Sequence, residues 1–232
     1  TYVYGFEDEI EADGRIHPSF LLHGTVTGRL SCRNPNLQNI PRSSPIKSYF
    51  QAPPGKVLVE VDYSQAELRA LAHMCQDPYL IQSLSDPKNS MHKIVATDRY
   101  GPNYTGEQYA RTKMLNFGVV YGRGAYSVAM EFNTSDAVAQ AWIDEWFEPM
   151  PRVKKFLAYM ERIAVNGGTI VSPYGRRRRF TDASIMNRES LKAARNEAKN
   201  YLPQTIASDC TLIAAFQAQD IFDKNFPDTH VV

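Results

Sequence analysis

Val57-Leu58-Val59-Glu60-Val61-Asp62-Tyr63-Ser64-Gln65-Ala66-Glu67-Leu68-Arg69 is the stretch from which the rest of the chain is read. Val57, Val59 and Val61 alternate with Leu58, Glu60 and Asp62, the period of two that a strand requires, with β-branched residues where a pleated surface packs them. The pattern predicts a buried strand. Ser64 followed three residues later by Glu67 makes a capping box, and Ala66, Leu68, Leu71 and Ala72 give the next segment an apolar side. The strand is therefore expected to run straight into a helix. Asp62 then sits at the strand's carboxyl end, beside a helix start, where a carboxylate can hold a divalent cation that also touches phosphate. A solvated turn residue is the plain alternative.

The surrounding chain is that of an ordinary globular protein. Its 232 residues are 43% hydrophobic and 22% charged, which excludes a disordered tail, a fibre or a membrane span. A net charge of +1 gives no general affinity for nucleic acid, so a binding surface has to come from local clusters of Lys and Arg. Cys32, Cys75 and Cys210 are odd in number and widely spaced, and no signal-peptide pattern opens the chain. These features point to a reducing, intracellular setting. The abrupt start, with Tyr2, Tyr4 and Phe6 in an acidic run, reads as a segment of something longer.

Other stretches carry chemistry of their own. His23 to Ser31, then Asn34 to Arg42, are dense in turn formers and amides, and amides can donate and accept in a minor groove. A polar surface loop is the simpler reading. Pro78 and Pro87 bound a short helical stretch, and Met91-His92-Lys93 opens another that ends near Gly101. Thr105 and Gln108 form a second capping box, and Gly122 marks the end of a helix of about sixteen residues, roughly 24 Å long. On it Lys113, Phe117 and Tyr121 recur every four residues and share a face, a cation followed by two rings. That suits a nucleoside triphosphate, with phosphate on the ammonium and sugar and base against the rings. Arg111, two residues before Lys113, is about 200° around the helix from it.

Helices are expected over 136–147 and 151–166, then a strand over 169–171. Arg176 to Arg179 are the densest positive charge in the chain, either a solvated loop or a seat for phosphate or carboxylate. The region 191–209 reads as helix interrupted near Pro203, with Asn200 and Gln204 four apart. Ile206, Cys210, Ile213 and Phe216 are expected to form the buried side of a long last helix.

Asp62-Tyr63-Ser64-Gln65-x-Glu67-Leu68-Arg69 resembles motif A of the family A (DNA polymerase I type) DNA polymerases. Lys113-x-x-x-Phe117-Gly118-x-x-Tyr121-Gly122 resembles their motif B. Thr27-Gly28-Arg29-Leu30-Ser31, Pro35-Asn36-Leu37-Gln38-Asn39-Ile40-Pro41, the Gly175 to Arg178 segment and the Asn200/Gln204 pair follow the same family's order. The resemblance implies an α+β fold, an antiparallel palm sheet with a mostly helical fingers insertion, truncated at both ends. Its parts would be a first palm portion over 1–75, fingers over 76–168, and a return to an incomplete palm over 169–232 without motif C.

By that resemblance Asp62 and the carbonyl of Tyr63 bind two Mg2+ ions, and Lys113 serves the triphosphate as a cation and acid. Tyr63, Gln65, Glu67, His92, Arg111, Phe117 and Tyr121 are implied to meet the incoming deoxynucleoside triphosphate, Glu67 by excluding a 2′-hydroxyl. Arg29, Gln38, Asn39, Asn200 and Gln204 are implied to touch primer-template DNA. The sequence departs from the family at Ser90, Tyr109 and Thr205, which stand where an acidic residue, an arginine and a glycine are usual. The implied reaction is template-directed transfer of deoxynucleotides to a primer 3′ end, with the segment alone inactive. Two alternatives remain at this point, a single-subunit RNA polymerase and a non-catalytic nucleic-acid-binding fragment.

Overall fold

The computed structural model describes residues 2–40, 45–86, 90–182 and 185–231, so Pro41, Arg42 and Pro87 lie outside the described residues. The chain divides into two compact units, Thr1–Tyr63 and Ser64–Val232. In the first, helix α1 (Tyr2–Glu7) precedes a two-stranded antiparallel sheet, β1 (Ser19–Leu21) with β2 (Ser31–Arg33), in which Phe20 stands opposite Cys32. A 3-10 turn over Leu37–Asn39 follows. The Asn36 side chain accepts from the Gln38 N–H there and so supplies the cap that this short helix needs.

Residues 57–62 form no strand. Val57, Leu58, Val59 and Val61 are 82, 61, 78 and 89% exposed, so the expected burial is also not found. The alternation is real, but a strand exists only through a neighbour that takes up its N–H and C=O groups, and no described strand pairs with this one. Ser64 is not the helix cap either. Helix α2 (Ala66–Cys75) is entered through Gln65, held at φ 55°, with no side-chain hydrogen bond to the helix start.

The second unit is helical with one small sheet. After α2 come α3 (Pro78–Ser83), α4 (Met91–Tyr100), α5 (Gly106–Gly118), α6 (Ala125–Glu131), α7 (Asp136–Phe147) and α8 (Pro151–Val165). Strands β3 (Thr169–Val171) and β4 (Arg177–Arg179) pair antiparallel, with Ile170 opposite Arg178. The last helix, α9 (Arg188–Asn225), runs for 38 residues with Pro203 inside it, so the expected interruption does not divide it. An α+β class with a helical majority and small antiparallel sheets is what the chain adopts. None of the described helices is long and apolar enough to cross a membrane.

Two apolar cores hold this unit together. One gathers Leu71, Leu80, Met91, Leu115, Val128, Trp146 and Val153 from α2 through α8. The other gathers Ala70, Met160, Ile170, Phe180, Ala198 and Tyr201 around α2, α8, β3 and α9. Helix α2 contributes to both, with Leu68 and Leu71 on one side and Ala70 on the other. Burial along α9 stops at Asp209. Ile213 and Phe216 are 43 and 68% exposed and Cys210 is exposed, contrary to the expected buried side, while Ile206 is buried as expected.

Candidate active site

Helix α5 is built as its sequence predicts. The Thr105 hydroxyl accepts from the Gln108 N–H, and the Gln108 side chain accepts from the Thr105 N–H at 2.7 Å, so two otherwise orphaned donors are satisfied. At its other end Gly122, at φ 81°, closes the helix. The Gly122 N–H reaches the Val119 carbonyl and the Arg123 N–H reaches Gly118, a paired reversal that needs a left-handed residue. Regular α-helix ends at Gly118, earlier than expected, yet the Tyr121 N–H still bonds to the Phe117 carbonyl. The fourfold spacing therefore persists to Tyr121.

Lys113, Phe117 and Tyr121 line one open pocket of about 470 Å³, together with Met114, Arg123 and Glu131. Lys113 and Phe117 are exposed and Tyr121 is half-buried. Arg123 pairs with Glu131 at 2.5 Å on the pocket wall. Arg111 is on another side of the helix. Its guanidinium lies 3.7 Å from the centre of the Trp142 ring and bonds to Glu107, so it is committed away from Lys113, as its position around the helix requires.

His92 on α4 is 7% exposed, and its ring centre lies 4.8 Å from that of Phe117. Its Nδ1 is 2.8 Å from the Asn116 side-chain nitrogen. Burial, and then the neighbouring positive charge of Lys113, hold the imidazole below its ordinary pKa. Asn116 and Trp146, which complete this cluster, were not among the sequence candidates. The available signal was Thr112 and Asn116, two polar residues four apart on α5, and both prove buried.

The motif A residues fall at the junction of the two units in the chain. Asp62 and Tyr63 are exposed at the end of the first; Gln65 and Glu67 are half-buried at the start of the second. Gln65 Oε1 is buried without a hydrogen-bond partner. Arg69 braces the start of α2, with its guanidinium donating to the carbonyls of Ser64 and Leu84 at 2.9 and 2.8 Å. Among the described residues no three His, Cys, Asp or Glu side chains gather as a metal site.

The remaining candidates are dispersed. Arg29, Gln38 and Asn39 are exposed in the first unit, where the Gln38 side chain donates to the Leu30 carbonyl. On α9, Asn200 donates to the Tyr121 carbonyl at 3.1 Å and ties that helix to the end of α5, while Gln204 is half-buried. The four arginines split by the strand's period of two. Arg176 pairs with Asp209 at 2.7 Å, and Arg178 makes a two-pronged contact with Glu197 at 2.5 and 2.8 Å. Arg177 and Arg179 face solvent.

Comparison with known proteins gives this arrangement a family. The chain is 33% identical to the DNA polymerase I of Caldicellulosiruptor bescii, across 97% of this chain and 27% of that protein. It is 36% identical to the DNA polymerase I of Treponema pallidum, across 97% and 23%. It is 35% identical to the thermostable DNA polymerase I of Thermus aquaticus, across 92% and 27%. The chain thus spans about a quarter of the length of these relatives. Among solved structures it resembles the POL domain of Pol1 from M. smegmatis, in complex with DNA primer-template and dNTP, with a TM-score of 0.86 and 30% identity over 96% of this chain and 41% of that one. The pattern described as DNA polymerase family A matches residues 1–232, and the chain belongs to that family.

Proposed function

We propose that this segment carries the nucleotide face, and one carboxylate ligand for metal, of an enzyme that adds deoxynucleotides to a primer 3′ end under the direction of a template. The observation that carries this reading is the pocket lined by Lys113, Phe117 and Tyr121. A cation and two rings on one open wall match the charge and the flat surfaces of a nucleoside triphosphate. The similar M. smegmatis domain is described with primer-template and dNTP, which supports the same ligands here.

In this reading Lys113 neutralises charge on the triphosphate and passes a proton to the departing pyrophosphate. Phe117 and Tyr121 bound the space for sugar and base, and Glu67 closes the position of a 2′-hydroxyl. Arg29, Gln38 and Asn39, exposed and polar, take the primer-template duplex, with Asn200 and Gln204 as further contacts on α9. Arg111 is left out of the triphosphate site because its guanidinium is held on Trp142. The division into palm over 1–75, fingers over 76–168 and palm return over 169–232 goes with this assignment, as does a cytoplasmic location.

The donor set fits magnesium. Mg2+ is usually held by one or two carboxylates plus substrate phosphates, and Asp62 is an exposed carboxylate beside the Tyr63 carbonyl. Two such ions, when bound, stabilise the attacking and leaving oxygens of the displacement. Asp62 supplies one carboxylate of that set, so the segment by itself is expected to bind nucleotide without turning it over.

The test is single-turnover incorporation by a complete polymerase carrying this segment, with Lys113→Ala. Loss of one charge-stabilising donor is expected to slow incorporation by about 10² or more while primer-template affinity is kept. An unchanged rate would remove Lys113 from the site.

A further inference from the structure

His92, Asn116 and Trp146 come from α4, α5 and α7 and meet in the interior, at 7, 0 and 2% exposure. The indole N–H of Trp146 is a donor and nothing else, and it lies 2.6 Å from Asn116 Oδ1. That contact decides which end of the Asn116 amide is oxygen. The other end, Nδ2, is 2.8 Å from His92 Nδ1. An amide NH2 group can only donate, so His92 Nδ1 must present a lone pair, and the single proton of the neutral ring must sit on Nε2. Burial and the charge of Lys113 both favour the neutral ring. Among the described residues Nε2 has no hydrogen-bond partner. Phe117 links this imidazole to the pocket, since it packs on the His92 ring and lines the pocket beside Lys113.

We propose that Trp146 and Asn116 are positioning residues that lock His92 as the neutral Nε2–H tautomer, and so make a donor of the residue that the family resemblance already sets against the triphosphate. The inference rests on the nucleotide reading above. Its chemical advantage is specific: a neutral donor serves the phosphates without setting a second cation against Lys113. The lock also explains why a polar pair is buried between three helices, where each member would be costly without the other.

Long-range 1H–15N correlation spectra of the imidazole rings in the labelled chain at pH 8 read the tautomer directly, with His92→Gln assigning the signal. The expected wild-type pattern is a bare Nδ1 and a protonated Nε2. Asn116→Asp, whose carboxylate can only accept, is expected to move the proton to Nδ1. Trp146→Phe frees the amide to turn and is expected to give a mixture, and it serves where the aspartate variant fails to fold. A wild-type ring protonated on Nδ1 overturns the lock, whether or not the chain binds nucleotide.

Calorimetric titration with Mg-dATP tests the second half. Asn116→Asp is expected to weaken binding about tenfold, the loss of one hydrogen bond to a charged acceptor. In a His92→Gln background the same substitution should change little. Weakening that persists there is an effect of the added charge and overturns the donor role, as does unchanged affinity in the single variant. Lys113→Ala tests the underlying nucleotide reading separately. If wild type and Lys113→Ala both fail to bind Mg-dATP, that reading and the donor role fall, while the tautomer lock stands or falls by the spectra alone.

Discussion

The carboxylate of Asp77 accepts from the backbone N–H of Arg152, 75 residues away, at 3.0 Å, and through that bond it caps two helices at once. Its other oxygen accepts from the N–H groups of Tyr79 and Leu80 at the start of α3. Helix α8 needs the help. Pro151 at its first position has no N–H and Met150 before it has no side-chain acceptor, so Arg152 is the first donor in need of a partner. Arg152 returns the contact by donating to the Gln76 carbonyl at 2.7 Å. Asp77 is fully buried, so Asp77→Ala is expected to cost about 2–4 kcal/mol, the sum of two caps and the donors left orphaned. Urea unfolding measures it, and a loss of under about 0.5 kcal/mol would show that neither cap matters.

The depressed pKa of His92 makes a prediction about pH. Unfolded, the ring titrates near about 6.5; folded, burial and Lys113 hold it lower, so between the two values the unfolded chain binds more protons. Stability from this residue is therefore complete above the unfolded value and is lost as pH falls below it. Urea midpoints of wild type and His92→Gln should converge, or cross in favour of the variant, on going from pH 7.5 to pH 5.5. A constant difference across that range would mean that His92 titrates alike in both states.

Glu67 was open to two readings, helix cap or gatekeeper of the sugar. The capping box does not form, since Gln65 occupies the cap position and makes no side-chain bond there. Glu67→Ala in a complete polymerase carrying this segment is expected to raise ribonucleotide incorporation relative to deoxyribonucleotide, because selectivity built on a clash falls when the clash is removed. Competition between the two substrates gives the ratio, and an unaltered ratio would take Glu67 out of sugar selection.

How far the sequence could be read depended on whether a signal was local. The Thr105/Gln108 box, Pro151 at a helix start, the bounds of α7 and the strand Thr169–Val171 all emerge where local chemistry puts them. Each is decided within a few residues. The segment 57–62 was misread because strand character belongs to a pair of segments, and a period of two says only which faces would separate if a partner were present. The apolar row of Ile213 and Phe216 failed for a related reason, since periodicity marks a face and not what covers it. At the site, the Lys113, Phe117 and Tyr121 spacing was legible. The diversion of Arg111 was legible only as an angle, with Trp142 as its destination revealed by packing. The His92, Asn116 and Trp146 cluster joins residues 24 and 30 apart on different helices, and no local pattern announces it.

The central claim is that this segment belongs to the chemical step of DNA synthesis and not merely to a fold that binds nucleic acid. Asp62→Asn tests it most directly, in a complete polymerase carrying this segment, by measuring primer extension and primer-template affinity on the same preparation. On the proposed reading duplex affinity comes mainly from Arg and Lys on phosphates, and the Asp62 carboxylate serves the ions of the reaction. Extension is expected to be abolished while the duplex is bound as before. Extension at the wild-type rate in the Asp62→Asn enzyme would contradict it.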